Sequence, residues 1–452
     1  MILTIHRGSK QIGGSCVEFR TDGGERILLD FGMPLARPDG SDWPRGTMTR
    51  PIKELRAESV LPDIEGLYAG SAPAFSALVL SHAHLDHHGL AHHVHPGVPV
   101  YGSRGTIEML KASKLFVPDA SVPTDLRALP TELAVRIGSF SVRGIPVDHA
   151  APDSRALLVE ADGERVLYSG DLRAHGRSAL LFEALPGEAG PIDVLILEGT
   201  TVGQRKGSHG LSGELDVERR LCDLLKDESG FVAVIASGQN IDRSISVCNA
   251  ARASGRELVL DPYQAYILLT LKEIYPEMPQ YNSPGVRVKF ISSHVERLKE
   301  AGFWTLACRM ARASKVTSQQ LAATPGKFVY LARSSGATVA LLRYLAKTER
   351  PTVVWSQWSG YLRKGGAVPR FCSEHGLEPV LIHSGGHAHP EDLARLVSRM
   401  RPRVVVPIHT EAAEQFANLM PNVRVVGDCE PTPIASLLGS AVESEGTTIS
   451  IL

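Results

Sequence analysis

The amino-acid sequence predicts an α/β protein, and three features of the 452 residues indicate this class. Short β-branched and aliphatic runs alternate with turns through residues 1–199, as expected for consecutive strands. After Gly199, helical and extended segments alternate in a βαβ rhythm, which implies a parallel sheet. Hydrophobic residues make up 43% and charged residues 21% of the chain, a balance that excludes disorder, collagen and coiled coil.

The strands predicted within residues 1–199 share an aliphatic or β-branched composition and end at turn residues. They are 2–5, 16–19, 27–29, 77–80, 98–101, 141–147, 156–160, 166–168 and 194–197. The sequences Asp22-Gly23-Gly24 and Asp162-Gly163 predict hairpin turns between neighbouring strands. The last of these strands is apolar throughout, so we expect it to be covered on both faces.

Residues 201–215 are polar and rich in glycine and serine, which predicts a loop. The elements expected after this loop are helices at 217–226, 241–253, 390–400 and 411–418, and strands at 231–236, 258–260, 286–291, 328–331, 352–355 and 403–406. The change of composition near residue 200 predicts that 200–375 form a separate α/β unit, inserted between 1–199 and 376–452.

The charge balance is nearly neutral, with 48 Lys and Arg against 49 Asp and Glu. Proteins that bind nucleic acid by their overall charge usually carry a basic excess, so a polyanion would have to meet a local basic cluster here. The six cysteines are widely separated and predict reduced thiols. The N-terminal residues lack the pattern of a signal peptide, and no apolar run is long enough to span a bilayer. We therefore expect a cytoplasmic protein with no membrane partner; the sequence leaves a homo-oligomer open.

The strongest chemical signal is a histidine-rich segment that follows the predicted strand 77–80. Its possible metal ligands are His82, His84, Asp86 and His87. Alternate residues of an extended segment point the same way, and the next two ligands turn into the following helix, so all four can approach one point. Nitrogen and carboxylate donors suit Zn²⁺, or Mn²⁺ where oxygen ligands dominate. The segment therefore predicts a metal site at the end of a strand.

This H-x-H-x-D-H segment resembles the signature of the metallo-β-lactamase superfamily. The resemblance implies an αββα sandwich and three further ligands at strand ends, which match His149, Asp171 in Ser169-Gly170-Asp171, and His409 in Pro407-Ile408-His409. It implies two Zn²⁺ ions, with Mn²⁺ possible. By analogy His82, His84 and His149 hold one ion. Asp86, His87 and His409 hold the other, and Asp171 bridges the two.

Two neighbouring divalent ions can share a hydroxide whose pKa is drawn toward neutrality, which provides a nucleophile at pH 7. Asp86 therefore counts both as a ligand and as a catalytic residue. Asp30 resembles the aspartate that supports the histidine-rich loop in this superfamily. Asp30 and Asp148 are the candidates for contacting the ligand imidazoles from outside the metal site and orienting them. Asp148 could equally be an ordinary turn residue.

Asp171 and His409 are 238 positions apart in the sequence, far more than a single crossover connection needs. A whole domain must be inserted there. The chain thus resembles the β-CASP branch of nucleases, typified by ribonuclease J and the pre-mRNA cleavage endonuclease. This resemblance implies that 1–199 and 376–452 form the metallo-β-lactamase domain and 200–375 the β-CASP domain. We also expect residues 403–409 to form a strand beside the strand that precedes His82.

The resemblance adds two catalytic residues and a set of substrate contacts. Glu198 matches an acidic motif of the branch, and His387 matches its histidine motif with one additional glycine before it. His387 is expected to protonate the leaving oxygen while Glu198 holds its ring. The predicted substrate-binding residues are Ser154, Ser384, Gly385, Gly386 and Arg333. The basic residues near the expected cleft are Arg243, Arg333, Arg363, Lys364 and Arg403.

These features predict a metal-dependent hydrolase that cleaves phosphodiester bonds of single-stranded RNA, or of DNA. The alternative is a small-molecule ester, thioester or lactone hydrolase whose inserted domain serves as a lid. A third interpretation is a scaffold protein that retains the fold without activity. Loss of a ligand would mark such a scaffold, and all seven ligand positions are occupied by suitable residues.

Overall fold

The computed structural model describes residues 1–118, 120–204 and 210–439. Part of the predicted loop 201–215 and the end of the predicted segment 376–452 lie outside these described residues. Within the described ranges, no helix combines the length and apolar character needed to cross a membrane.

Two sheets form the first half of the chain. The strands of the first sheet, in chain order, are β1 (Ile2–Arg7), β2 (Cys16–Arg20), β3 (Arg26–Leu29), β4 (Ala77–Val79), β5 (Val100–Gly102) and β6 (Leu126–Ala128). The strands of the second sheet are β7 (Val135–Ile137), β8 (Phe140–Pro146), β9 (Arg155–Ala161), β10 (Glu164–Tyr168) and β11 (Val194–Glu198). Both sheets begin with antiparallel pairs and end with parallel ones, as β3 pairs with β4 and β10 with β11.

A third sheet follows, and all of its strand pairs are parallel. Its strands are β12 (Val232–Ile235), β13 (Glu257–Leu260), β14 (Val286–Lys289), β15 (Lys315–Val316), β16 (Phe328–Ala332), β17 (Thr352–Trp355) and β18 (Val380–Leu381). The chain then returns to the first two sheets through β19 (Val404–Ile408), which pairs with β11, and β20 (Thr432–Pro433), which pairs with β1.

The helices lie on the outer faces of the sheets and between them. They are α1 (Ile52–Ala57), α2 (Leu85–His88), α3 (Arg104–Phe116), α4 (Ala179–Ala189), α5 (Glu214–Asp227), α6 (Ile241–Ala253), α7 (Pro262–Thr270), α8 (Ser292–Glu300), α9 (Trp304–Ser314), α10 (Ser318–Ala323), α11 (Gly336–Leu345), α12 (Ser359–Lys364), α13 (Ala367–Glu374), α14 (Pro390–Met400) and α15 (Ile434–Gly439). Short 3-10 helices span Thr47–Thr49, Ala91–His93, Pro325–Lys327 and Ala413–Asn418. The helix predicted at 411–418 is thus a 3-10 helix.

The first two sheets pack face to face. Alternate side chains of their strands, such as Leu3 and Phe19 on one sheet and Val159 and Ile196 on the other, share a single buried core. A second core lies behind the second sheet, where Phe182 of α4 and Leu396 of α14 cover its other face. The predicted αββα sandwich is confirmed, because both faces of each sheet are apolar and each needs a covering layer.

The third sheet is buried on both faces, as its parallel pairing requires. Side chains of β12 alternate between two cores, with Val234 on one side and Ile235 on the other. Phe116 at the end of α3 contacts the rings of Tyr263 and Tyr266 on α7, with centroids 5.4 and 5.5 Å away, and so joins this unit to the first sheet. The third sheet continues to β18, beyond the predicted boundary at 375. The division into domains stays a prediction.

The expected partner of the last long strand was wrong. β19 pairs in parallel with β11 in the second sheet, with Glu198 opposite Ile408, and not with the strand that precedes His82. The reason is that the two sheets stack, so a strand end of the second sheet reaches the histidine-rich loop across the sandwich rather than along one sheet. The αββα architecture does not depend on the pairing that we expected.

Ile196 tests the shared core between the two sheets. Its side chain is fully buried, so Ile196→Ala should lower the free energy of unfolding by about 2–5 kcal/mol through lost apolar burial and a residual cavity. Leu180→Ala is the matched control, because Leu180 is 82% exposed on α4. Its effect should stay within about 0.5 kcal/mol. Urea titrations followed by circular dichroism measure both, and equal effects would contradict the assigned core.

Candidate metal centre and active site

The functional side chains stand at the ends of strands that meet at one edge of the sandwich. In the second sheet β10, β11 and β19 are adjacent and parallel, and Asp171, Glu198 and His409 lie at or just beyond their carboxyl ends. The histidine-rich loop leaves β4 of the first sheet at the same edge. Parallel strands place their carboxyl ends together, which is why residues far apart in sequence converge here.

The first cluster consists of three imidazoles and a carboxylate. Nδ1 of His84 lies 3.2 Å from Nε2 of His82 and 3.0 Å from Nε2 of His149. The Asp171 Oδ2 atom is 3.7 and 3.8 Å from the Nε2 atoms of His82 and His149. Burial lowers the pKa of His82 and of His149 well below its ordinary value, and lowers that of His84 to about 4. Neutral imidazoles are the form that binds a metal.

The second cluster contains Asp86, His87 and His409. Nε2 of His409 is 3.3 Å from Asp86 Oδ2, and its Nδ1 lies 2.7 Å from the Thr200 hydroxyl. Nε2 of His87 is 3.2 Å from Asp171 Oδ2, so the same carboxylate borders both clusters. His409 also has a positive φ of 53°, an uncommon conformation for a residue other than glycine that aims its ring into the cluster.

The donor set fits divalent cations. Asp171 is 1% exposed, and neither of its oxygens has a hydrogen-bond partner among the described residues, nor does Nε2 of His87. Burial alone would raise the pKa of Asp171, but the imidazoles of His409 and His87 hold it well below its ordinary value, so the carboxylate is ionised. A buried, ionised carboxylate is costly unless positive charge compensates it. A Zn²⁺ or similar ion would supply this positive charge, and the clustered nitrogen and oxygen atoms are suitable ligands for it.

Asp30 supports the histidine-rich loop, as predicted from its position. It is fully buried, and its Oδ2 accepts hydrogen bonds from Ser81 Oγ at 2.7 Å and Tyr168 Oη at 2.8 Å and lies 2.7 Å from Nδ1 of His87. Burial would lower the pKa of His87, but Asp171 and Asp30 together raise it well above its ordinary value. The two carboxylates therefore attract positive charge to this position.

Asp148 does not orient a ligand imidazole, so that expectation was wrong. Its carboxylate accepts a hydrogen bond from Nε of Arg173 at 3.0 Å. The ring of His149 is instead held by the Gly386 carbonyl, which lies 2.6 Å from Nδ1. The loop before His387 thereby fixes which nitrogen of His149 faces the first cluster.

Glu198 and His387 form a buried acid–imidazole pair. Nδ1 of His387 is 3.2 Å from both carboxylate oxygens of Glu198. The backbone N–H groups of Leu172 and Thr200 donate to the same carboxylate at 3.1 and 3.2 Å. Burial would lower the pKa of His387, but Glu198 and Asp171 outweigh it and raise the pKa to about 9. The side chain is 25% exposed, so its ring can reach a ligand.

Both clusters open into a cavity of about 1510 Å³, and the site residues that line it are His84, Asp86, His149, Asp171, His387 and His409. Among the predicted substrate contacts, Gly385, Gly386 and Arg333 line it. Ser154 lies outside it, because its hydroxyl is buried and donates to the Ala151 carbonyl at 3.0 Å. Ser384 is 1% exposed and does not face the cavity either. Neither serine is placed to contact a substrate as predicted.

Two protein-family models match the chain: a Beta-lactamase superfamily domain at residues 55–224, and a Zn-dependent metallo-hydrolase RNA specificity domain at residues 381–423. The chain resembles the β-CASP branch of the metallo-β-lactamase superfamily, because both matched segments and the similarity to proteins named ribonuclease J support that assignment. The predicted resemblance is thus confirmed. A crystal structure of an Enterococcus faecalis protein of unknown function shares this fold, with a TM-score of 0.72 and 22% identity over 94% of this chain and 97% of that one.

Several proteins named ribonuclease J are similar to this chain. It is 26% identical over 394 residues to ribonuclease J of Sinorhizobium meliloti, covering 82% of this chain and 64% of that protein. It is 24% identical over 421 residues to ribonuclease J of Pyrococcus abyssi, covering 86% and 85%. The chain spans 64% of the length of the first of these relatives and 65% of ribonuclease J2 of Bacillus subtilis.

Sequence reasoning missed Arg173, whose side chain lies where three segments of the chain meet. Its fully buried guanidinium donates to Asp148 at 3.0 Å, to Asp242 at 2.5 Å and to the Gly385 carbonyl at 3.3 Å. The inserted unit, the turn before His149 and the glycine loop are therefore tied to one side chain. The only signal in the sequence was its position two residues after Asp171.

Other basic residues are already paired. Arg243 is fully buried and donates to Glu214 at 2.7 and 3.2 Å, so it is not free to meet phosphate. Lys364 pairs with Asp42 at 2.9 Å, and Arg403 with Asp193 at 3.3 Å. Arg333 stacks over the Tyr263 ring at 4.1 Å and still borders the cavity.

A substitution at Gly32 tests whether metal binding depends on the backbone position at the start of α2. A Cβ atom at Gly32 would lie 1.7 Å from the Asp86 carbonyl oxygen, so Gly32→Ala must displace the start of α2 with its two ligands. We expect metal affinity to fall by about 10–100-fold, the range seen when supporting contacts are lost. Competition with a chromophoric chelator measures it. Gly187→Ala is the control, because open space surrounds Gly187. Unchanged affinity in Gly32→Ala would contradict the assigned packing.

Proposed function

We propose that this chain is a metal-dependent hydrolase that cleaves phosphodiester bonds of RNA. One observation carries the proposal: two ligand clusters, both bordered by Asp171, open into the same cavity as His387. The match to an RNA specificity domain covers both His387 and His409, and the similarity to proteins named ribonuclease J supports the same substrate.

In this proposal two Zn²⁺ ions are the cofactors, and Mn²⁺ is the alternative metal. His82, His84 and His149 would hold one ion, Asp86, His87 and His409 the other, and Asp171 would contact both. Divalent cations in such sites act as Lewis acids and lower the pKa of water toward neutrality. The nitrogen-rich donor set of the first cluster favours Zn²⁺.

His387 would supply the proton that the leaving group needs. Its Nδ1 is held by Glu198, which leaves Nε2 for the cavity. The raised pKa keeps the ring protonated at neutral pH. As water oxygen adds to phosphorus and the bond to the ribose 3′ oxygen breaks, His387 gives its proton to that oxygen. The products are a 5′ phosphate and a 3′ hydroxyl.

Two glycines and an arginine would position the phosphates. The Gly386 carbonyl is hydrogen-bonded to His149 and the Gly385 carbonyl to Arg173, so the protein holds the loop through its carbonyl groups. We propose that the N–H groups of this loop and the Arg333 guanidinium face the phosphate chain, because both border the cavity.

The size of the cavity argues against the small-molecule alternative. Pockets for small molecules typically enclose about 300–1,000 Å³, whereas this cavity measures about 1510 Å³. A segment of a nucleic-acid chain fills a space of this size better than a small ester or lactone does. Single-stranded DNA is the comparison substrate in the experiments below.

Substitutions of His387 and Asp171 distinguish the predicted proton donor from the predicted metal ligands. His387→Ala should keep its metal content but lose about 10²–10⁴-fold in the rate of RNA cleavage, the usual contribution of a general acid. Asp171→Ala should lose metal and activity together, because it removes the carboxylate common to both clusters. Elemental analysis and cleavage of 5′-labelled RNA and DNA measure the two quantities side by side.

His95→Ala is the control, since His95 lies outside both clusters. It should match the wild-type protein in metal content and rate. Asp171, Glu198, His387 and His409 also lie close enough together to hold a cation themselves. Loss of metal from His387→Ala would therefore identify His387 as a ligand and contradict its assignment as the acid. A wild-type rate in His387→Ala would contradict it as well.

A further inference from the structure

Two exposed aromatic side chains line the cavity without belonging to the metal clusters. Trp358 is 49% exposed and Tyr361 is 50% exposed. Their rings meet edge to face, with centroids 5.3 Å apart and planes at 89°. Large aromatic side chains that are half exposed in a cavity are typical of ligand-binding sites, because their apolar ring surface becomes buried only when a ligand binds.

The protein holds this aromatic pair in place. The buried Trp355 at the end of β17 donates from Nε1 to the Trp358 carbonyl at 3.2 Å, just before α12 begins. A Cβ atom at Gly360 would lie 2.2 Å from the Trp358 ring, so that ring lies directly against the glycine backbone. At the other end of α12, Lys364 pairs with Asp42 at 2.9 Å. The pair is therefore positioned before any ligand arrives.

The aromatic pair lies toward the metal centre. Trp358 and Tyr361 border the same cavity as Asp86 and His387. On the cavity wall contributed by the N-terminal part, Leu35 is also 49% exposed. The space beside the metal clusters thus has apolar walls on two sides.

We propose that Trp358 and Tyr361 form a stacking subsite for a nucleobase of single-stranded RNA whose backbone lies at the metal centre. The inference rests on the proposed function and adds the contact that holds the base. Aromatic rings stack on every base, so such a subsite binds without sequence preference. The net charge of −1 gives this chain little general attraction for phosphates, so non-ionic contacts must contribute to affinity.

An RNA with one base removed tests this subsite directly. Wild-type protein is incubated with a mixture of ordinary RNA and RNA that carries a single abasic nucleotide. The experiment is repeated with the abasic nucleotide at each position near the cleavage site. At one position the abasic RNA should be cleaved with a kcat/KM about 5- to 150-fold lower, the range for losing one stacked base. Trp358→Leu and Tyr361→Leu should reduce that discrimination, because the ring is gone while apolar volume remains.

Trp358→Phe and Tyr361→Phe should retain most of the discrimination, because each keeps a ring. Trp304→Leu is the matched control, since Trp304 is 51% exposed and lies outside the cavity. It should discriminate like the wild type. The dependence of kcat/KM on salt should be unchanged in the leucine variants, because no phosphate contact is lost.

Two results would contradict the proposed stacking subsite, and a third would contradict the proposed function instead. Leucine variants that still discriminate against the abasic position would overturn it. Wild-type protein that cleaves every abasic RNA as efficiently as the ordinary RNA would also overturn it, because no base would then contribute a stacking contact. Wild-type protein that carries metal and cleaves no RNA at all would instead overturn the proposed function.

Discussion

Asp171 is ionised, almost fully buried and without a hydrogen-bond partner among the described residues. An isolated charge in such a place would destabilise the fold by several kcal/mol. Six histidine rings and the Glu198 carboxylate surround Asp171. Three of the imidazoles are held neutral by burial, while His87 and His387 are drawn toward the charged form by carboxylates. The centre therefore combines neutral ligands, a demand for cations and a proton donor within one small volume.

A second buried charge fixes the geometry around the first. Arg173 lies two residues after Asp171 and binds the turn before His149, the glycine loop before His387 and the start of α6. Beside it, Arg243 is enclosed by Glu214 and the Ser356 carbonyl. Breaking a buried charge network by removing one partner usually costs more than the network contributes, so the inserted unit is held in one position relative to the clusters.

The sequence revealed the parts of the centre that are local. His82, His84, Asp86 and His87 lie within six positions, and the other ligands follow strands that are apolar enough to recognise. The family resemblance predicted the αββα sandwich, and the change of composition near residue 200 predicted the second α/β unit. The predicted roles of these residues stay predictions that the proposed experiments test.

Long-range pairing could not be predicted from the sequence. Asp148 and Arg243 looked like an imidazole partner and a phosphate contact, but each is paired with a side chain from a distant segment. Ser154 satisfies its hydroxyl within its own turn. The strand β19 joined the sheet opposite the one expected, because apolar patterning shows that a strand is buried and not which neighbour it pairs with.

Anomalous diffraction at the zinc absorption edge tests the central claim most directly. Crystals of protein supplied with Zn²⁺ and kept free of chelators should show two peaks about 3.5–4 Å apart. One should lie among His82, His84 and His149, the other among Asp86, His87 and His409, with Asp171 in contact with both. A single peak, or peaks away from Asp171, would contradict the account of a shared carboxylate at the centre of the site.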